Sequence, residues 1–176
     1  MEKQRFKYYL EIATNVAVLI VAILIIATFV KSYYAVRSLP QLQSGLQKGM
    51  SIKQLPGINY DDASQTLLVV MNTKCHFCSE SVPFYKQLEQ QSQESKSSRI
   101  VAVFPNSKEE AEQYMKDKGL SLTTVAGINL SELNLAGTPT LILVDNKGMV
   151  QDFWAGKLPE NTEKQVFQAL GGSKEQ

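Results

Sequence analysis

The sequence predicts an α/β fold, with a mixed sheet flanked by helices on both sides and preceded by one N-terminal transmembrane helix. Three observations lead to this prediction. Apolar runs of strand length recur along the chain, segments of helical character lie between them, and an uncharged apolar stretch stands near the N-terminus. The length of 176 residues suits one domain of ordinary size with an additional segment.

The uncharged stretch runs from Ile12 to Val30 and is dominated by Val, Ile, Leu and Ala. As a helix it would be about 28 Å long, close to the roughly 30 Å hydrocarbon core of a bilayer. Tyrosine pairs at 8–9 and 33–34 flank it, as in the aromatic belts of membrane helices. A cleaved signal peptide is the alternative, but its apolar region is usually about 7–15 residues, and no small-x-small site follows the stretch. We therefore expect an uncleaved anchor.

Basic residues on the two sides of the stretch set its expected orientation. Lys3, Arg5 and Lys7 precede it, whereas Lys31 and Arg37 follow it. This small excess favours a cytoplasmic N-terminus and a main domain exported to the periplasmic or extracellular side. The expected organisation is a cytoplasmic tail at 1–11, the anchor at 12–30, a juxtamembrane linker at 31–55 and a folded domain at 56–172.

The folded domain is predicted to begin its sheet with the apolar run from Leu67 to Met71. Because this run does not alternate with polar residues, we expect a strand covered on both faces. The elements predicted after it are a helix from about 76 to 93 with a kink at Pro83, a strand at 100–104, a polar helix at 108–118, a short strand at 122–125, a helical turn at 131–135, a strand at 140–144, a turn at 145–148 leading to a second hairpin strand at 149–154, and a final helix at 159–170.

The two cysteines and the single histidine of the chain all fall within Cys75-His76-Phe77-Cys78. Two cysteines cannot form a disulfide-rich scaffold, and no second Cys or His cluster completes a four-ligand zinc site, so no metal is expected. The formal net charge of +1 argues against a nucleic-acid partner, because a phosphate backbone attracts a clear basic excess. Half of a metal site and a purely structural disulfide are the weaker alternatives for the cysteine pair.

The spacing of the cysteines suits thiol–disulfide exchange. Cys75 stands where the first strand gives way to a helix, and the free N–H groups and partial positive charge of a helix start favour a nucleophilic thiolate. Cys78 follows one turn later on the same face, from which it can attack a mixed disulfide formed at Cys75. We therefore expect an accessible, attacking Cys75, a more buried, resolving Cys78, and no cofactor besides their redox-active disulfide.

His76 is a candidate modulator of this pair. When protonated, it would be a nearby cation that stabilises the Cys75 thiolate. A more stable thiolate makes the couple more oxidising than thioredoxin, whose potential is about −270 mV. The alternative is an exposed histidine with no tuning role.

These residues resemble the thioredoxin-fold superfamily. The shared features are the strand, the CxxC at the helix start, Pro83 downstream of it, and a Thr138-Pro139 pair before a strand. The resemblance implies that Pro139 is cis and that Thr138 and Pro139 bind an extended substrate peptide. Within the superfamily, the chain is most similar to the membrane-anchored TlpA-like and cytochrome-maturation class of the bacterial envelope, which also carries an added segment before the cis-proline.

The sequence also departs from the thioredoxin pattern. Lys74 stands where thioredoxins usually have a Trp, and Val69 stands where many have a buried Asp that serves the resolving thiol. The leading expectation is a membrane-anchored thiol–disulfide oxidoreductase whose partners are cysteine-containing envelope proteins and a membrane redox partner that recycles the disulfide. The alternatives are a non-enzymatic docking module and a peroxiredoxin-like peroxidase. That peroxidase family needs a Pro and a Thr upstream of its reactive cysteine, and here Thr73 is present but the residues before it contain no proline. The direction of electron flow stays open.

Overall fold

The computed structural model of the chain describes residues 15–26, 28, 45–94 and 98–171. The chain divides into two units, Met1–Gln41 and Leu42–Gln176. In the first unit residues 15–26 are helical and their large apolar side chains are exposed. Within the described part of the chain, no helix is long and apolar enough to cross a membrane. The predicted tail at 1–11, both ends of the predicted anchor and the first part of the predicted linker lie outside the described residues.

The second unit is built on a five-stranded mixed sheet, which confirms the predicted sheet type. Its strand order is β3-β2-β1-β4-β5, with β1, β2 and β3 parallel to each other and with β4 and β5 antiparallel to their neighbours. The strands are β1 at Gln65–Val70, β2 at Ser98–Val103, β3 at Thr123–Val125, β4 at Thr140–Asp145 and β5 at Val150–Ala155.

Strand β1 is the central strand of the sheet, and all six of its residues are buried. It pairs with β2 on one side and β4 on the other, so that Leu67 is opposite both Ile100 and Leu143. Side chains cover both faces of the sheet here, which explains the apolar run without alternation.

Four α-helices accompany the sheet: α1 at His76–Glu80, α2 at Val82–Glu94, α3 at Lys108–Lys118 and α4 at Glu160–Gly171. The single kinked helix predicted at 76–93 is thus two helices, which separate at Ser81 (φ −86°, ψ 0°). Pro83, in the first turn of α2, has no N–H to continue the hydrogen bonds of α1. The helix is therefore interrupted where we expected only a kink.

The flanking helices are confirmed, but all four α-helices lie on one face of the sheet. Leu67 and Val69 point toward them into a cluster that we call the helix-side core. Leu68 and Val70 point to the second face, which is covered by the chain before β1 and by 3₁₀ turns at Tyr60–Asp62 and Leu130–Leu133. Because β1, β2 and β3 are parallel and follow one another across the sheet, right-handed crossovers place α2 and α3 on the same face.

The folded unit begins earlier than the boundary predicted at residue 56. Leu46, Ile52 and Leu55 are buried on the second face. The Gly49 N–H donates to the Val150 carbonyl at 2.8 Å, and Ser51 forms an isolated β-bridge with Met149, the residue before β5. Residues 45–55 are therefore part of the domain and not a linker. Their polar composition concealed the widely spaced apolar side chains that cover the sheet.

Candidate active site

Cys75 lies at the end of a short turn that follows β1. Its N–H donates to the Asn72 carbonyl at 3.0 Å, and the Lys74 N–H donates to Asn72 Oδ1 at 2.9 Å. Cys75 is the N-cap of α1 and has an extended backbone (φ −84°, ψ 114°). The strand-to-helix position predicted for Cys75 is confirmed.

Asn106, from the loop after β2, holds this turn from the neighbouring strand. Its Oδ1 accepts from the Thr73 N–H at 3.1 Å, and its Nδ2 donates to Thr73 Oγ1 at 2.8 Å. Nδ2 also lies 3.1 Å from Glu110 Oε2, which fixes the amide orientation. Asn106 was not among the site residues predicted from the sequence. Its one signal was its place after β2, because the carboxyl ends of adjacent parallel strands meet at one edge of the sheet.

The two cysteines are free thiols with opposite exposure: Cys75 is partly exposed and Cys78 is fully buried. The backbone N–H of Cys78 donates to Cys75 Sγ at 3.1 Å. On its other side, Cys75 Sγ donates to the Thr138 carbonyl at 3.4 Å. This arrangement provides a backbone donor for a Cys75 thiolate and places Cys78 directly behind it.

The two sulfurs also differ in their electrostatic surroundings. Burial first, and after it the hydrogen bond with Cys75, raise the pKa of the Cys78 thiol to about 12. Cys78 is therefore a neutral thiol near neutral pH. Because the thiolate is the nucleophile, the sulfur that first meets a substrate disulfide is Cys75.

Thr138 and Pro139 come to the cysteines from a distant part of the chain, immediately before β4. The Thr138–Pro139 peptide bond is cis, as the resemblance implied. Pro139 is buried and its carbonyl accepts from the Gly156 N–H at 2.7 Å, while Thr138 is half-buried. The binding of a substrate peptide by these two residues stays a prediction.

The His76 side chain is exposed and points along α1. Its Nε2 lies 3.2 Å from Glu80 Oε1, and its ring meets the Phe77 ring edge-on. The second Glu80 oxygen accepts from Lys157 Nζ at 2.9 Å. The hydrogen bond from Lys157 and, after it, the charges of Lys157 and His76 hold the pKa of Glu80 below its usual range. The contacts described for the imidazole are with Glu80 and Phe77, so an effect of His76 on Cys75 stays a prediction.

An apolar surface accompanies this polar group. Phe77 is 55% exposed, and it is the one large apolar side chain exposed in the described part of the second unit. Because it lies between Cys75 and Cys78 in the sequence, this exposed apolar side chain belongs to the same short helix as the two cysteines. Among the residues that the structure describes, no group of three or more His, Cys, Asp or Glu side chains is placed to hold a metal ion.

The sequence matches no family model and no curated protein. Solved structures do match. One is a crystal structure named as the thiol:disulfide interchange protein DsbE from Chlorobium tepidum, with 25% identity, a TM-score of 0.60, and coverage of 72% of this chain and 99% of that chain. Another is the thioredoxin domain of a thiol-disulfide oxidoreductase from Bacteroides vulgatus, with 18% identity, a TM-score of 0.57, and coverage of 71% and 99% respectively.

A third is a thiol-disulfide isomerase from Corynebacterium glutamicum, with 15% identity, a TM-score of 0.54, and coverage of 71% of this chain and 92% of that chain. This chain has the thioredoxin fold. The match extends over nearly the full length of all three structures and over about seven tenths of this chain.

Both departures from the thioredoxin pattern lie next to the site in this thioredoxin fold. Lys74 is exposed, and Val69 is fully buried in the helix-side core. Sequence reasoning also missed Glu80 and Lys157. The spacing of His76 and Glu80 at i and i+4 on one helix was a usable signal. Lys157 carried no local signal, because it belongs to the segment between β5 and α4.

Proposed function

We propose that this chain is a membrane-anchored thiol–disulfide oxidoreductase that exchanges disulfides with cysteine-containing envelope proteins through Cys75 and Cys78. One observation carries the proposal: the partly exposed Cys75 Sγ lies 3.1 Å from the backbone nitrogen of a fully buried Cys78. The likeness to the thiol:disulfide interchange protein DsbE, at 25% identity, supports the same class of reaction.

The chemistry follows from the difference between the two sulfurs. A Cys75 thiolate attacks a substrate disulfide, forms a Cys75–substrate disulfide and expels the first substrate thiolate. Cys78 then loses its proton and attacks Cys75 Sγ, and the Cys75–substrate bond breaks with its electron pair on the second substrate sulfur. The substrate gains two electrons and two protons, and the Cys75–Cys78 disulfide forms. The same steps in reverse oxidise a substrate dithiol.

The direction of the reaction depends on the redox partner that the protein has in the membrane. A membrane redox partner would return the cysteine pair to its starting state after each cycle. Whether that partner supplies or removes electrons depends on its potential and on that of Cys75–Cys78, since the fold permits both directions.

The substrate would lie beside the Thr138–Pro139 segment in an extended conformation. The Thr138 carbonyl, 3.4 Å from Cys75 Sγ, marks the strand-like edge along which such a peptide is proposed to align. Phe77, exposed next to the nucleophile, offers apolar contact to residues flanking the substrate cysteine.

Two features support the membrane anchor. The sequence from Ile12 to Val30 contains no charged residue, and the large apolar side chains at 16–26 are about half exposed or more. The basic residues that precede this stretch support an N-terminus in the cytoplasm and an exported thioredoxin-fold domain. Extraction of native membranes with alkali and protease treatment of intact spheroplasts test this arrangement. Release of the full chain by alkali would refute the anchor, and protection of the domain in spheroplasts would refute its export.

A trapping experiment tests the exchange reaction. A Cys78→Ala variant keeps the nucleophile but cannot resolve, so mixed disulfides with substrate proteins should accumulate in native membranes and disappear on reduction. Cys75→Ala is the matched control and should trap none. Absence of mixed disulfides in the Cys78→Ala protein would refute the mechanism. Full activity of a Cys75→Ser protein in its native pathway would favour a non-enzymatic docking module instead.

A further inference from the structure

Tyr85 has a buried hydroxyl that the exchange mechanism has not used. The residue lies in α2 and is fully buried in the helix-side core. Its oxygen makes no hydrogen bond in the structure, although the Ser81 side chain lies near enough to lower the pKa of Tyr85. Because buried hydroxyl groups are almost always paired, one that is left unpaired in the resting state calls for an explanation.

The Tyr85 side chain shares its surroundings with the resolving cysteine. Cys78 lies in α1 and Tyr85 in the first turns of α2, on the two sides of the break at Ser81, and both side chains belong to the helix-side core together with Val69. Burial raises the pKa of Tyr85, and the charge of a Cys78 thiolate lies near enough to raise it further. The phenol therefore stays protonated, so it can act as a hydrogen-bond donor and not as a base.

Other buried polar groups do not compete for this role. In the described ranges, no Asp or Glu side chain is buried. The Ser81 hydroxyl donates to the Phe77 carbonyl at 2.8 Å, and the Thr140 hydroxyl donates to the Gly137 carbonyl at 2.9 Å. The Tyr114 hydroxyl lies 3.4 Å from Ser79 Oγ. Each of these hydroxyls has a partner, whereas that of Tyr85 has none.

We propose that the Tyr85 hydroxyl donates a hydrogen bond to the Cys78 sulfur when Cys78 becomes a thiolate, in the place where Val69 provides no polar group. This inference rests on the proposed function. In the resolving step Cys78 gives its proton to solvent, its sulfur bonds to Cys75 Sγ, and the substrate leaves as a thiolate that takes up a proton. In the reverse reaction Cys78 is the leaving thiolate. The donor stabilises the same charged sulfur in both directions.

Single-turnover reduction of a chromogenic aromatic disulfide by the reduced wild-type protein tests the proposal. Attack by Cys75 releases the first coloured thiolate, and attack by Cys78 on the resulting mixed disulfide releases the second. In Tyr85→Phe the second phase should slow by about threefold to tenfold, because loss of a hydrogen bond to a charged sulfur lowers the thiolate fraction while a more basic thiolate attacks faster. The first phase should be unchanged, and it reports that the site is still folded.

Tyr60→Phe is the matched control. Tyr60 is also buried, but it lies on the second face of the sheet, where its hydroxyl donates to the Lys53 carbonyl. Both phases should be unchanged in this variant. Equal slowing of both phases in Tyr85→Phe, or an unchanged second phase, would overturn the role of Tyr85. Failure of the wild-type protein to release two thiolates would refute the proposed function instead.

Discussion

The buried Cys78 thiol should make the stability of the reduced protein depend on pH. The structure holds this thiol protonated, with its pKa raised to about 12 first by burial. In the unfolded chain a cysteine ionises with a pKa of about 8.5. Because the unfolded state releases a proton that the folded state retains, the free energy of unfolding falls as the pH rises above about 8.5.

The size of the effect follows from these two values. From about pH 7.5 to about pH 9.5, ionisation of the unfolded Cys78 lowers the free energy of unfolding by roughly 1 kcal/mol, since the folded thiol stays protonated throughout. The buried tyrosines Tyr60, Tyr85 and Tyr114 also have raised pKa values, but their unfolded pKa of about 10 places most of their effect above this range.

Denaturant unfolding of the reduced protein at both pH values measures the effect, with Cys78→Ala as the reference that retains every other titrating group. The wild-type protein should lose roughly 1 kcal/mol more than Cys78→Ala over this interval. The disulfide form lacks both thiols and should not show this loss. The same pH dependence in reduced wild-type protein and in Cys78→Ala would refute the assignment of Cys78 as the protonated, buried partner.

Three further predictions concern groups around the site and the domain boundary. Asn106→Leu removes both hydrogen bonds to Thr73. We expect the free energy of unfolding, measured with denaturant, to fall by roughly 1–2 kcal/mol and the alkylation of Cys75 to become slower. Unchanged alkylation would show that the turn keeps its geometry without the amide. Leu46→Ala should cost roughly 2–4 kcal/mol because Leu46 is buried, whereas the exposed Gln47→Ala should cost almost nothing; equal small losses would return residues 45–55 to a linker. Glu80→Gln should leave His76 and Lys157 without their anionic partner. Because more positive charge near the cysteines favours the thiolate, the equilibrium with glutathione should shift toward the reduced protein. A shift in the opposite direction would refute this electrostatic reasoning.

The parts of the fold that could be predicted from the sequence are those governed by local pattern. The uninterrupted apolar run around Leu67 indicated a central strand, and the polar helix was predicted at the range observed for α3, Lys108–Lys118. The two cysteines stood out because their spacing matches one helical turn. Thr138 and Pro139 were found only through the resemblance, since no local pattern connects a Thr-Pro pair with a distant CxxC.

The features that escaped prediction depend on contacts between distant segments. Residues 45–55 look like a linker because their few apolar side chains are widely spaced, and only the exposed second face of the sheet gives them a place to bury. The fold brings three distant segments around the cysteines: the loop after β2, the segment between β5 and α4, and α2. Only then do their residues become informative, namely Asn106, Lys157 and Tyr85 with its unpaired hydroxyl. Their roles follow from what they contact in the fold and not from the type of residue.

The pairing of Val70 with Thr140 joins the end of β1 to the start of β4, and it brings the segment ahead of Cys75 alongside the segment that follows Pro139. The ribosome synthesises β1 well before β4, because about seventy residues separate the two strands in the sequence. A chain that has emerged only as far as α3 carries both thiols but lacks the Thr138 carbonyl that faces Cys75. Sheet closure is therefore also the event that completes the reactive centre. A partly synthesised chain that lacks the C-terminal hairpin therefore carries both cysteines without the Thr138 carbonyl that faces Cys75 in the folded domain.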